Sequence, residues 1–567
     1  ESTDWYKETL KKSSGQTQHF LSASGGSGPV TYFTSFGFQN ENSLLKSNDM
    51  NYKKYTFRTN VGIELTKNLK ADLILSGLFD KRTQPGDNFF NIYKGTRIAL
   101  STERPYANGN PKYPALLSGG YNPVVLMDRG LTGYTEEANK FFQSTFALTY
   151  SVPFIPGLKV KGLVAYDSNN YRGKSVSKSY NLYTYDAVTD KYEAHAQRNP
   201  SRIGNNFSDN NRVTVQGQLI YNTIIAKNHN VGATLVYEQQ EAKNRWAGLG
   251  REYAFFTNDQ VDQAGLNNQT NSGSEGEYAS QSYVGRLNYD FKEKYLLEVA
   301  ARYDGSYRYH PDRRWGLFPV VSAGWRISEE GFLKNNALIS TLKLRGSYGL
   351  VGADAGAPFQ YIPRFSLSGG GGYEFTNGNY TTGAASPAIV NEKLTWFKST
   401  IQDVGLDIGL LDNKFDFTID VYQRDRKGLL ARRNVSLPNT FGGTLPEENL
   451  NSDRVRGIEL SAGYNGQIRD FKFGIAGNFN FARTMNRYIE RGDFLSSMDR
   501  WRGGAANRWN DVVWALQLEG QFQNKDETIY APIQNGDLGN TRELPGDFKY
   551  KDVDGNGVID GNDATPL

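Results

Sequence analysis

Six residues near the C-terminus have the types and spacing of a calcium loop: Asp552, Asp554, Asn556, Val558, Asp560 and Asp563. Calcium takes roughly six to eight oxygen ligands, and a loop of about twelve residues presents them from positions 1, 3, 5, 7, 9 and 12, the seventh through its backbone carbonyl. Gly557 stands where the chain must turn sharply to bring those oxygens together. Position 12 is Asp563 where a helix-flanked loop carries Glu, so its shorter reach implies ligation through one oxygen. Pro545-Gly546 before and Pro566 after leave no room for flanking helices, which excludes a calcium-switch hand. The same residues also suit a loop of Asx turns closed on its own backbone N–H groups. Either way the role is structural, with calcium as the cofactor in the first reading.

No other grouping points to chemistry. His19, His195, His229 and His310 are scattered without metal-ligand spacing or a Ser/His/Asp arrangement. The absence of cysteine removes disulfides, thiolate metal sites and thiol nucleophiles. Gly173-Lys174-Ser175 has the wording of a phosphate-loop end, but Ser168 replaces the required first glycine. Arg491-Gly492-Asp493 is an adhesion tripeptide by wording only. No catalytic residue is assigned and no enzyme is expected. With 64 basic and 60 acidic residues, the net charge of +4 implies no nucleic-acid partner.

The elements that must carry the loop are strands. Tyr55, Phe57, Thr59, Val61, Ile63 and Leu65 share one face, and Thr56, Arg58, Asn60, Gly62 and Glu64 share the other, because strand side chains repeat every two residues. The same alternation recurs at Leu69–Phe79 opposite Lys70 and Asp72, at Val213–Tyr221, at Tyr283–Tyr289 opposite Arg286, at Leu342–Leu350 opposite Arg345, and at Phe471–Phe481. About 16 or 17 such segments are expected from this period. Short links, such as Thr66-Lys67 and Asp412-Asn413, alternate with long ones, such as 81–140, 170–210 and 241–279. Short turns at one end and long loops at the other are how outer-membrane barrels are built.

One face is nearly free of charge, and a Lys or Arg there would cost about 2–4 kcal/mol at mid-bilayer. The other face carries charge on almost every strand, so it needs a wet lumen or a polar plug, which implies a wide barrel. A mean hydropathy of −0.60 does not oppose this, since alternating segments average to a polar composition. The fold class is therefore all-β, a large antiparallel transmembrane barrel.

The chain resembles SusC/RagA-type TonB-dependent outer-membrane transporters. The likeness is carried by Thr3-Asp4-Trp5-Tyr6, Leu21–Ser27, Tyr283–Tyr289, Arg302–Ser306, Trp315–Pro319, Ser322–Ile327, Leu342–Gly349, Leu394-Thr395-Trp396, Gly405-Leu406-Asp407, Gly457–Leu460 and the calcium-like loop, in that order. Phe397 stands where the family usually has Glu, and Arg456 where it usually has Asn.

The resemblance implies a barrel of about 22 strands, with a plug, a TonB box and a carboxypeptidase-D-like domain ahead of it. None of these three reads in this chain, which is expected to be a barrel portion truncated at both ends. The expected organisation is a plug-to-barrel junction over 1–16, a partial barrel with long extracellular loops over 17–543, and the calcium-loop segment over 544–567. Implied too are a location in a Bacteroidota-type outer membrane, import of glycan oligosaccharides or peptides, a SusD-like surface lipoprotein as partner, and energy from TonB–ExbB–ExbD.

Arg58, Glu64, Lys70, Arg286 and Arg345 are then expected to line the lumen. Trp246, Tyr253, Phe255, Phe256, Trp501 and Trp509 are candidate substrate-stacking aromatics of the long loops, each with packing or an interfacial girdle as the alternative. Two rival readings stay open: a plug-free porin or adhesin barrel, and a soluble calcium-dependent carbohydrate-binding β protein.

Overall fold

The computed structural model describes residues 2–566 except 267, 335, 366, 368–371, 377, 385, 386, 388 and 435–443. Parts of the loops expected over 352–396 and 427–449, and the end residues Glu1 and Leu567, lie outside the described residues. Seventeen strands belong to one antiparallel sheet. The chain divides into two units, 1–292 with 298–307 and 315–317, and 293–297 with 308–314 and 318–567.

In the first unit β1 (Gln16–Ser27), β2 (Val30–Asn42), β3 (Asn51–Thr66), β4 (Leu69–Pro85), β5 (Gly133–Ser151) and β6 (Leu158–Ser177) each pair antiparallel with the next. A separate hairpin, β7 (Tyr180–Asp186) with β8 (Lys191–Gln197), stands in the following loop. β6 then pairs with β9 (Arg202–Ile225), and the ladder runs on through β10 (His229–Glu252) and β11 (Thr270–Phe291). The period-two pattern explains the pairing. In β6 Val160, Gly162, Val164 and Tyr166 are exposed, while Lys161, Leu163, Ala165 and Asp167 are half-buried. Phe36, Phe57, Phe142, Phe146, Val215, Leu219 and Leu287 are likewise among the exposed apolar side chains. A soluble β protein would bury that face; leaving it open across so many strands calls for hydrocarbon around it.

Ring-over-glycine packing keeps the open face smooth. Phe57 lies opposite Gly77, and a Cβ at Gly77 would fall 2.1 Å from a ring atom of Phe57. Gly77→Val should therefore displace Phe57 and cost about 2 kcal/mol, as overpacking does. The check is a lower unfolding temperature on heated gels of the detergent-solubilised protein.

The strands are longer than the periodicity predicts. β9 and β10 run for 24 residues each, and residues 170–177 and 202–210, read as loop from sequence, are strand. Above the membrane both faces are wet, so the apolar alternation vanishes while backbone pairing continues. The sequence reading also missed the helices of the 86–132 loop: α2 (Phe89–Ile98), α3 (Pro123–Leu126) and α4 (Arg129–Thr132). Ile92, Leu126 and Met127 pack with Leu45 into a small core. Trp5, on the short helix α1 (Trp5–Thr9), is buried against Ala107, Ala115 and Leu117, and its Nε1 donates to the Leu100 carbonyl at 2.8 Å. The residues expected to form a junction thus anchor this loop.

β12 (Tyr295–Ser306) and β13 (Trp315–Arg326) each carry residues of both units. In the second unit β14 (Ile339–Ala353), β17 (Phe397–Leu410), β18 (Phe415–Arg432), β19 (Glu447–Ile468) and β20 (Phe471–Tyr488) pair in sequence, and β15 (Gly372–Thr376) with β16 (Asn379–Thr382) forms a loop hairpin. β21 (Arg508–Trp509) adds two pairs to β20. Residues 514–566 hold two short ladders outside the main sheet, β22 (Trp514–Leu516) against β25 (Ala564–Pro566) and β23 (Leu518–Gln521) against β24 (Phe548–Tyr550). The short helices α5 (Ser497–Gly503) and α6 (Lys525–Tyr530) lie in the same region.

Candidate functional site

The polar face supplies the first group of site residues. Arg345 on β14 lies opposite Gly405 on β17, which lies opposite Asp420 on β18. With no side chain at 405, the guanidinium reaches across the strand. It sits 2.6 Å from Asp420 Oδ1, 3.3 Å from Asp407 and 3.6 Å from Asp403. One cation thus holds three carboxylates on the wet face. Gly405 was quoted in the resemblance without a role, and this is the role: a Cβ there would meet Asp420 Oδ1 at 2.4 Å.

The other predicted lining residues share the face but form separate contacts. Arg286 pairs with Glu298 at 2.6 Å, Lys70 with Asp72 at 2.8 Å, and Arg58 donates to Asn60 at 3.2 Å. Glu64 lies opposite Lys70 in register. Arg58, Glu64, Lys70 and Arg286 belong to the first unit and Arg345 to the second.

The loop aromatics divide. Tyr253 is 2% exposed, packs with Val176, Ile203 and Ala264, and gives its hydroxyl to the Gln260 carbonyl at 3.2 Å. Phe256 packs on that cluster. This placement is a correction for Tyr253, which is core of its own loop and presents no stacking face. Phe255, by contrast, is 76% exposed. Trp246 lies on β10, not in a loop, with Ser208 and Ser274 opposite, and borders a cavity with Phe207, Arg172 and Arg245. Trp501 meets Trp514 edge-on at 4.9 Å, and Trp509 stacks under Arg483 at 4.5 Å.

At the C-terminal loop the carboxylates of Asp552, Asp554 and Asp563 converge, with one oxygen of each within 4.8 Å of the others. Asp563 is fully buried; its Oδ1 accepts from Val553 N at 2.7 Å and Asp554 N at 3.4 Å, and its Oδ2 from Asp560 N at 2.8 Å. Burial raises the Asp563 carboxyl, yet those N–H donors outweigh it and hold the group below the ordinary carboxylate range. Asp552 accepts from Gly555 N and Gly557 N, Asn556 Oδ1 from Val558 N, and Asp560 from Asn562 N. The loop therefore closes on its own backbone while leaving three carboxylates pointing together, a hard-oxygen donor set that suits calcium. Asp563→Ala should strand three backbone donors and cost about 2 kcal/mol, measured as faster protease cleavage within 544–566.

The sequence did not flag Asn540. It is 1% exposed; its Nδ2 donates to the carbonyls of Thr528 and Pro532 at 3.0 Å, and its Oδ1 accepts from Gln534 N at 2.7 Å. It thus fastens the 528–534 backbone, at a spacing that no motif marks.

Known proteins share this strand architecture. The family model for TonB dependent receptor-like β-barrels matches residues 86–562. The chain belongs to that family. It is a chain of the outer-membrane, multi-pass β-barrel class, and receptors of this family are transport proteins, not enzymes. Family membership also sets aside the soluble, porin and adhesin readings.

Among curated relatives, the TonB-dependent receptor SusC of Bacteroides thetaiotaomicron is 26% identical over 593 residues, covering 99% of this chain and 55% of SusC. TonB-dependent receptor P26 of Formosa agariphila is 25% identical, covering 96% of this chain and 53% of that protein. The chain thus spans about half the length of these relatives. Among solved structures, the RagAB peptide transporter aligns at a TM-score of 0.76 and 18% identity over 100% of this chain and 60% of that one, which shows a shared fold.

Proposed function

We propose that this barrel belongs to a TonB-dependent importer that carries glycan oligosaccharides or peptides across the outer membrane. The observation that carries the reading is the match to SusC along 99% of the chain. The charged wall around Arg345 and Arg286 suits the plug interface and a hydrated path for polar cargo too large for a porin. Glycans come first because the SusC/RagA-type resemblance implies them ahead of peptides; the likeness to the RagAB peptide transporter keeps peptides as the second cargo class. A SusD-like lipoprotein would cap the long loops, and TonB–ExbB–ExbD would supply the energy through a plug and TonB box.

The test uses the full-length protein in its native outer membrane. Tagged protein extracted in detergent should co-purify a surface lipoprotein, and loss of TonB should abolish uptake of the glycan or peptide that supports growth. Uptake that persists without TonB would contradict the reading.

The convergent Asp552, Asp554 and Asp563 belong to the same proposal as a structural calcium site. An ion that binds only the folded loop stabilises it by RT ln(1 + [Ca]/Kd), about 2.7 kcal/mol at a hundredfold excess over Kd. Chelation should accordingly speed cleavage within 544–566 in the unaltered protein and leave Asp552→Asn/Asp554→Asn unchanged. Equal cleavage with and without chelator in the unaltered protein would remove calcium and leave the self-bonded loop.

A further inference from the structure

The lipid-facing side of the second unit carries a feature that import does not use. Register aligns Tyr348, Gln402, Gln423, Arg456 and Arg483 in one row across β14, β17, β18, β19 and β20. Two residues nearer the short turns, the next row on the same face is Gly346, Val404, Val421, Ile458 and Phe481, wholly apolar. Further down, Phe415 opposes Tyr464, with ring centroids 4.6 Å apart, beside the turn at 411–414.

From Phe415 to Gln423 is about 27 Å at about 3.4 Å per residue. The strand tilt of roughly 40° makes that about 20 Å of height, near the roughly 25 Å of a barrel's apolar band. The Phe415/Tyr464 pair therefore marks the periplasmic girdle, and the Arg456/Arg483 row marks the extracellular rim.

A girdle position calls for Tyr or Trp, as Tyr348 supplies at the start of the row. Two arginines replace them here. Together with Trp509 and the apolar row beneath, they border one cavity of about 570 Å3. Arg483 is held in place: it stacks on Trp509 at 4.5 Å and its fork meets Asp511 at 2.9 and 3.0 Å. Arg456 is exposed, its Nε donates to Gln423 at 2.8 Å, and it has no carboxylate partner among the described residues. The neighbouring Arg454 is neutralised by Asp425 at 2.5 Å. Asp403 also lines the cavity but is paired with Arg345 on the wet face at 3.6 Å, so with Asp511 counted against Arg456 and Arg483 the rim keeps one net positive charge above a floor of Val404, Val421, Ile458 and Phe481.

We propose that this cavity binds a phosphorylated glycolipid of the outer leaflet, lipid A in chemical class. Its phosphate sits at Arg456 and Arg483, and an acyl chain lies along the apolar row. A guanidinium suits phosphate because its planar fork donates two N–H bonds at once. The height selects the source, since the rim lies on the long-loop side and the outer leaflet there is built of phosphorylated glycolipid.

The experiment is native mass spectrometry of the full-length protein in detergent, with monophosphoryl lipid A, its dephosphorylated form, and phosphatidylglycerol as separate probes. Monophosphoryl lipid A should be retained about tenfold more than either comparator, and Arg456→Gln/Arg483→Gln should erase the difference. Equal retention of dephosphorylated lipid, or of phosphatidylglycerol, by the unaltered protein would overturn the proposal without any variant. Unchanged retention by a double variant that still shows the heat-modified band of a folded barrel would overturn it as well.

Discussion

Gly352→Val is expected to leave the second unit unable to assemble its upper wall. A Cβ at Gly352 would lie 1.9, 2.1 and 2.7 Å from three ring atoms of Phe318. Phe318 cannot give way cheaply. It is 4% exposed and meets Trp396 edge-on at 5.3 Å, while Trp396 meets Tyr309 at 5.9 Å and donates from Nε1 to the Arg314 carbonyl at 2.8 Å. Moving the ring therefore disturbs an aromatic cluster and a backbone anchor together. Overpacking of this kind costs about 3 kcal/mol, the upper end of its usual range. The variant should lose the heat-modified band and accumulate as unfolded protein. Gly352→Ala with Phe318→Leu makes room for the new methyl and should recover most of the band. If Gly352→Val folds as well as the unaltered protein, the ring-over-glycine account is wrong.

Arg345→Met should be comparably damaging for an electrostatic reason. Removing the cation leaves Asp403, Asp407 and Asp420 facing one another, with side chains only 25%, 29% and 16% exposed. Breaking a buried pair by deleting one partner costs about 3–5 kcal/mol, and the partial exposure here brings the expectation to about 3 kcal/mol. Thermal unfolding of the detergent-solubilised variant at pH 7 measures this. Arg345→Met/Asp420→Asn should regain part of the loss. A variant as stable as the parent would show that the three aspartates do not depend on Arg345.

Both cases show where the sequence speaks and where it stops. Between Tyr55 and Phe79 the membrane enforces a period of two, since every second residue must be apolar and the rest must not be. Strands and turns there were legible almost residue by residue, down to the short turn at 67–68 between β3 and β4. At Asn170–Ser177 the same backbone ladder continues with water on both sides, and no pattern marks it. Arg345 could be placed on the wet face by counting alone. Its three aspartates could not be assigned, because they lie 58 to 75 residues away and depend on register. Tyr253 shows the opposite failure: an aromatic in a polar loop looks exposed until Val176 and Ile203, from two other strands, close over it. The calcium-like loop was legible because its residues follow a known ligand spacing, whereas Asn540 bonds the 528–534 backbone at a spacing that no motif marks.

The central claim is that β3 has one face in lipid and one in a wet lumen, and the absence of cysteine makes a direct test clean. Single cysteines at Phe57, Thr59, Val61 and Ile63, and at Arg58, Asn60, Gly62 and Glu64, would be exposed to a water-soluble maleimide. The full-length protein would be labelled in native outer membranes and again after denaturation. The even positions should label in the membrane and the odd ones only after denaturation, a strict period of two. Labelling of both sets alike, or of the odd set alone, would contradict a transmembrane barrel strand.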